Sequence, residues 1–156
     1  MEYLPYLGIA VVSFLGLLAG IVLGAVSPEE VVSGRRWLLL LKKAVYILLI
    51  ALLLYYHHTL LQTATVLVIG GAGYLLLNYR SIYSLLGMSL GILYFSPALL
   101  HGASIIFLFG LPMGSLMAST RKNATLWRML KSTMKQMWLI FFLPALLIPL
   151  ILLAFV

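Results

Sequence analysis

The sequence predicts an all-α membrane protein, a polytopic bundle of about six transmembrane helices forming one integral membrane domain over residues 1–156. Of its 156 residues, 64% are hydrophobic and only 8% are charged, whereas water-soluble domains are about 45–50% apolar and about 25% charged. A small domain leaves much of its surface exposed, so a fold of this size cannot hide that much apolar surface from water. Apolar runs of about 20 residues, long enough to cross a bilayer, alternate with short polar breaks.

The first half of the chain predicts three crossings. Helix one is expected over Leu4–Val26, and its apolar run is too long for a cleaved signal peptide. A short surface helix should follow, because Pro28 suits a first helical position and two glutamates come directly after it. Helix two is expected over Trp37–Tyr56 and helix three over Thr59–Leu77.

The second half predicts three more crossings. Helix four, over Ile82–Phe95, is short and is ended by Ser96-Pro97, since the residue before proline is pushed out of the helical region. Helix five follows over Pro97–Met117, with a kink at Pro112. One crossing plus a re-entrant segment is the alternative to helices four and five. Helix six runs from Met137 to the end of the sequence.

The positive charges support this count independently. Lysines and arginines stand in the odd-numbered breaks between the six predicted helices, or directly beside them, and the even-numbered breaks have none. By the positive-inside rule this places every one of them in the cytoplasm and both termini outside, in a multi-pass protein of the cell membrane. Contact with anionic lipid headgroups then accounts for the net charge of +7, and nucleic acid is not an expected partner. The ten residues are Arg35, Arg36, Lys42, Lys43, Arg80, Arg121, Lys122, Arg128, Lys131 and Lys135.

Between helices five and six, the segment Ser119–Trp138 predicts a basic amphipathic helix. Apolar residues recur there at helical spacing and basic residues fall on another face, so the helix should lie in the inner membrane interface. It is either an anchor that sets topology or a docking surface for a soluble partner or a regulatory lipid. The predicted lipid-binding residues are Arg121, Lys122, Trp127, Arg128, Lys131 and Lys135.

Small residues at four-residue spacing predict close helix contacts, because helices in a bilayer associate through close van der Waals approach. They indicate either packing within the chain or contact with another chain, as a homo-oligomer or with a partner membrane protein, with helix one the expected contact. Helices one to three and four to six have opposite orientations, which also permits an inverted repeat. The predicted packing residues are Gly16, Gly20, Gly24, Gly87, Gly91, Gly110 and Gly114.

Histidine provides the candidate metal ligands. The predicted topology places His57, His58 and His101 near the outer surface, and neutral imidazole suits zinc or copper. Adjacent histidines on a helix point about 100° apart, so a role as amphipathic interface residues is the alternative. Lys42 and Lys43 lie one turn inside helix two, either as cations that face a substrate or as side chains that snorkel to the headgroups.

The composition excludes several mechanisms. There is no cysteine or aspartate, and the three glutamates lie near predicted helix ends. Thiol chemistry, catalysis by acid pairs and carboxylate-driven ion coupling inside the membrane are therefore not expected, and no cofactor is predicted.

Three functions fit the sequence. The first is a small transporter- or channel-type component, favoured by short loops and glycine-lined helices and disfavoured by the lack of buried charge. The second is a non-catalytic membrane subunit or assembly factor of a larger complex, favoured by the basic helix. The third is a histidine-dependent lipid-modifying enzyme, although the sequence favours a role without catalysis.

Overall fold

A computed structural model describes residues 3–56, 70–71, 79–120 and 125–154, and these residues are helical nearly throughout. The all-α prediction is confirmed. A short 3-10 turn, Leu93–Phe95, follows the fourth helix. The helices of the described ranges are α1 (Tyr3–Val26), α2 (Pro28–Ser33), α3 (Arg35–Tyr56), α4 (Tyr79–Ile92), α5 (Leu99–Ser119) and α6 (Leu126–Ala154).

Four helices, namely α1, α3, α5 and α6, are long and apolar enough to cross a membrane. These four helices are compatible with the predicted membrane helix bundle. The α4 helix has 14 residues and is about 21 Å long, shorter than the hydrocarbon core of about 30 Å. The third predicted crossing, 59–77, lies outside the described residues except for 70–71. The count of six crossings and the location of both termini stay predictions.

The basic segment and the last crossing form one helix, so the prediction of a separate interfacial helix between helices five and six is wrong. The α6 helix runs without a break from Leu126 to Ala154. The reason is local, because Gln136, Met137 and Trp138 at the expected boundary contain no glycine or proline to end a helix. With 29 residues, α6 is about 44 Å long and exceeds the hydrocarbon thickness of about 30 Å.

The α1 and α5 helices pack backbone against backbone. Glycines on each helix lie where a Cβ atom would overlap the main chain of the other. The Ser115 hydroxyl strengthens this contact by donating to the carbonyls of Gly20 and Leu111, both at 3.0 Å. The α1 stripe is therefore occupied within the chain, and contact with another chain would need a different face of α1. The opposed positions are Gly16 with Phe107, Gly20 with Leu111, Gly24 with Ser115, Gly110 with Leu17, and Gly114 with Leu17 and Ile21.

The α4 stripe packs on α6. A Cβ atom at Gly87 would overlap the backbone of Phe141, and one at Gly91 would lie 2.9 Å from Cβ of Ile148. In the inverted repeat that the sequence permits, α1 would correspond to α4 and α5 to α3. Since the glycines of α1 pack on α5, the glycines of α4 would then have to pack on α3. The packing of the described helices therefore does not follow such a repeat.

Tyr6 of α1 satisfies a carbonyl that a proline leaves without a donor. Pro149 has no N–H group, so the carbonyl of Ala145, four residues earlier in α6, lacks its helical hydrogen bond. The Tyr6 hydroxyl donates to that carbonyl at 2.6 Å. Tyr6 and Ala145 are both 0% exposed. Because an unsatisfied backbone group inside a bilayer costs several kcal/mol, this bond ties α1 to the proline-containing part of α6.

The α3 helix is the least buried of the four long helices. Only 28% of an apolar 18-residue stretch of α3 is buried, against 67% of the corresponding stretch of α5. It contacts α5 through side chains, with the rings of Tyr46 and Phe109 at a centroid distance of 6.2 Å. Tight backbone contacts therefore hold the pairs α1/α5 and α4/α6 together, whereas α3 is attached along one narrow stripe.

Candidate functional site

A charged residue lies on the buried stripe of α3. Four residues of α3 are buried, namely Lys42, Tyr46, Leu49 and Leu53. Their spacing of four, three and four residues is that of one helix face turned toward a core. Leu49 and Leu53 are each 1% exposed and belong to the hydrophobic core. Lys42 therefore occupies a position on the face that packs into the bundle.

The two adjacent lysines have different environments. Lys42 is only 7% exposed, whereas Lys43 is exposed. Of the two sequence interpretations, snorkelling thus fits the exposure of Lys43, and a cation turned toward the protein interior fits that of Lys42. A helical step of about 100° between neighbours is the cause, because it turns consecutive side chains to different faces.

The Lys42 ammonium has no hydrogen-bond acceptor and no ion-pair partner among the residues that the structure describes. Its neighbour Lys43 carries a charge of the same sign. Glu29 and Glu30, the two described glutamates, are exposed on α2 and form no ion pair with it. Ionisable residues inside membrane helices are usually functional, and Lys42 carries its charge on the face of α3 that packs into the bundle. Lys42 is therefore the strongest candidate site in the described part of the chain.

The position of Lys42 on α3 indicates toward which end of the helix its side chain leans. One turn further along α3, the Tyr46 hydroxyl donates to the carbonyl of Gly70 at 3.3 Å, which places residue 70 beside this stripe. Side chains of a helix lean toward its N-terminus, so the ammonium extends toward the first turns of α3. Arg35, seven residues before Lys42, lies on nearly the same face and about 10 Å away along the axis.

A cavity of about 580 Å³ opens where the ends of α1 and α5 meet α2 and the start of α6. Ligand sites are typically about 300–1,000 Å³ in volume. The described part of the cavity wall contains one charged residue, Glu29. Sequence reasoning missed this cavity because its walls come from four separate helices. The lining includes Gly24, Pro28, Glu29, Val32, Ser119 and Met129.

The predicted histidine site is only partly described. His101 is exposed on α5, whereas His57 and His58 lie outside the described residues. Within the described ranges no group of three metal-ligating side chains occurs. Ser104, one turn after His101, donates its hydroxyl to the carbonyl of Leu100 at 2.8 Å within its own helix. The histidine metal site stays a prediction.

In the first turns of α6, the predicted lipid-binding side chains lie on the surface of the protein. The tryptophan is 75% exposed, and the basic residues of these turns are exposed too, whereas Met129, Thr133 and Met137 are buried on another face. Arg121 and Lys122 lie outside the described residues. The exposed set is Trp127, Arg128, Lys131 and Lys135.

Known proteins provide no guide to the role of these features. Comparisons of the chain with protein-family models, with curated proteins and with solved structures found no match. The buried lysine of α3 and the packing around it are therefore the observations that bear most directly on function.

Proposed function

We propose that the chain is a small transport component of the cell membrane, a multi-pass protein of the transporter or channel type, in which Lys42 contacts an anionic solute. The position of Lys42, only 7% exposed on the inward face of a helix long enough to span the bilayer, carries this proposal. Charged residues within membrane helices are rare, and they mark substrate and ion pathways. A helix with a purely structural role would be expected to have an apolar residue on this stripe, as it does at Leu49 and Leu53.

The different packing of the helices supports the same proposal. Transport requires a site to change its access, commonly by movement of one helical unit against another. The glycine contacts of α1/α5 and α4/α6 leave little freedom, because the main chains touch. The α3 helix packs through side chains along one stripe, so a shift of α3 would leave those glycine contacts intact. Lys42 stands on the helix that is least restrained.

A second candidate is a non-catalytic subunit or assembly factor of a larger membrane complex. The exposed basic turns of α6 favour it, since Arg128, Lys131 and Lys135 form a cationic surface that suits a soluble partner or anionic headgroups. The histidine-dependent lipid-modifying enzyme stays an alternative from the sequence, since His57 and His58 lie outside the described residues.

Native mass spectrometry of the protein, extracted gently from its own membranes, separates the two candidates. For a transport component we expect a monomer or homo-oligomer without other proteins in fixed ratio. Purified protein in liposomes should then release a trapped anion faster than protein-free liposomes. Partner proteins in fixed stoichiometry, together with no flux from the isolated chain, would instead identify a subunit.

A further inference from the structure

We infer that Lys42 binds a phosphate group, with Arg35 at the approach to the site. This inference deepens the proposed function and rests on it for a role in transport. The binding itself is a separate property that can be measured without any flux. The phosphate belongs either to a phospholipid headgroup or to a soluble phosphate compound, and the chemistry of recognition is the same for both.

The charge at this end of α3 is strongly positive. Arg35, Arg36, Lys42 and Lys43 fall within nine residues of its first turns. Arg35 and Arg36 are exposed at the start of the helix, and Lys42 lies two turns deeper on the buried face. Such an arrangement attracts an anion to the exposed arginines and offers it the ammonium of Lys42 as a terminal contact.

A phosphate fits the ammonium better than a simple halide does. Lysine presents three N–H donors as a compact point charge, and it is a common phosphate ligand in proteins. Several phosphate oxygens can accept hydrogen bonds from Lys42, while others face Arg35 at the exposed start of α3. The apolar side chains of Leu39 and Leu41, close to Lys42 on α3, are exposed, so a headgroup could bind here with its acyl chains along α3.

The test is binding of two probes to the full-length protein in detergent. Phosphatidylglycerol is titrated and counted by native mass spectrometry, and inorganic phosphate is titrated in a thermal-shift assay against chloride at equal ionic strength. Lys42→Met removes the buried charge, and Lys43→Met is the matched control on the exposed neighbour. Lys42→Arg keeps a positive charge at the same position.

We expect Lys42→Met to weaken one of the probes by about tenfold or more, the effect of losing a charged hydrogen bond, with Lys43→Met close to wild type. Lys42→Arg should retain most of the binding. Loss confined to phosphatidylglycerol assigns the site to a headgroup, and loss confined to inorganic phosphate assigns it to a soluble compound. Without probe, Lys42→Met should be about as heat-stable as wild type, because the Lys42 ammonium has no partner among the described residues and methionine keeps most of the apolar stem. Lys42→Gln serves as a second neutral variant.

Equal effects of the Lys42 and Lys43 substitutions, or no binding of either probe to the wild type, would overturn the inference. Failure of the phosphate site can be distinguished from failure of the proposed transport function. Lys42-dependent binding without flux in liposomes leaves the phosphate site standing and removes the transport role. Flux of another anion without phosphate binding does the reverse.

Discussion

The bond between Tyr6 and the Ala145 carbonyl makes a prediction that can be worked out in detail. Tyr6→Phe removes the hydroxyl and keeps the ring, which packs edge-on against Tyr94 at a centroid distance of 4.9 Å. The carbonyl then has no donor, because Pro149 supplies no N–H and the site is fully buried. Leaving a buried acceptor unsatisfied costs about 1–3 kcal/mol, while hydrogen bonds between membrane helices average about 0.6 and reach about 1.7 kcal/mol. We expect a loss of about 1–2 kcal/mol in the free energy of unfolding.

The proline provides the decisive comparison. Pro149→Ala restores an N–H that can donate to the carbonyl of Ala145, so removing the Tyr6 hydroxyl should cost less in that background. A coupling energy of about 0.5–1.5 kcal/mol is expected from the double-mutant cycle. Reversible unfolding in mixed micelles, followed by tryptophan fluorescence, measures all four proteins. Tyr83→Phe is the control, because the buried Tyr83 hydroxyl has no hydrogen-bond partner within the described ranges and its removal should cost little or stabilise. An equal cost of Tyr6→Phe in both backgrounds would refute the role assigned to Pro149.

Three further predictions concern packing, topology and lipid. Gly20→Ala should destabilise the fold by about 1–3 kcal/mol through overlap with the α5 backbone. Gly8→Ala is the control, because the space around its Cβ position is open, and it should be neutral or slightly stabilising in the same unfolding assay. The chain has no cysteine, so single introduced cysteines can report topology. An impermeant maleimide added to intact cells should label Tyr55→Cys, whereas Glu29→Cys should be labelled only after permeabilisation. The opposite pattern would reverse the predicted orientation. Neutralising both lysines of α6 should reduce co-purified anionic lipid relative to zwitterionic lipid, since each such charge contributes about 1 kcal/mol near an anionic surface.

Much of the helical layout could be predicted from sequence, because apolar runs of bilayer length are a strong signal. The ranges of α1, α3 and α5 lie close to the predicted helices. The continuity of α6 was missed, since a change from amphipathic to fully apolar composition suggested a boundary at Met137 where no residue ends the helix.

Helix pairing and helix rotation are much harder to predict. Glycine spacing indicates that a face packs closely, but Gly20 does not specify whether its partner is α5 or another helix. In a soluble protein, apolar periodicity would show which face of α3 is buried. In a membrane the lipid-facing side is equally apolar, so Leu48 and Leu49 look alike in sequence although only Leu49 is buried. The separation of Lys42 from Lys43 therefore emerges only from the three-dimensional arrangement.

The most direct test of the central claim is anion flux through proteoliposomes that contain the wild type, Lys42→Met or Lys43→Met at equal protein density. An imposed gradient of inorganic phosphate and one of chloride are compared, with release measured against protein-free vesicles. We predict that the wild type and Lys43→Met conduct or exchange an anion and that Lys42→Met loses about tenfold or more of that rate. Equal rates for all three proteins, or none above the empty vesicles, would contradict the role of Lys42 in transport.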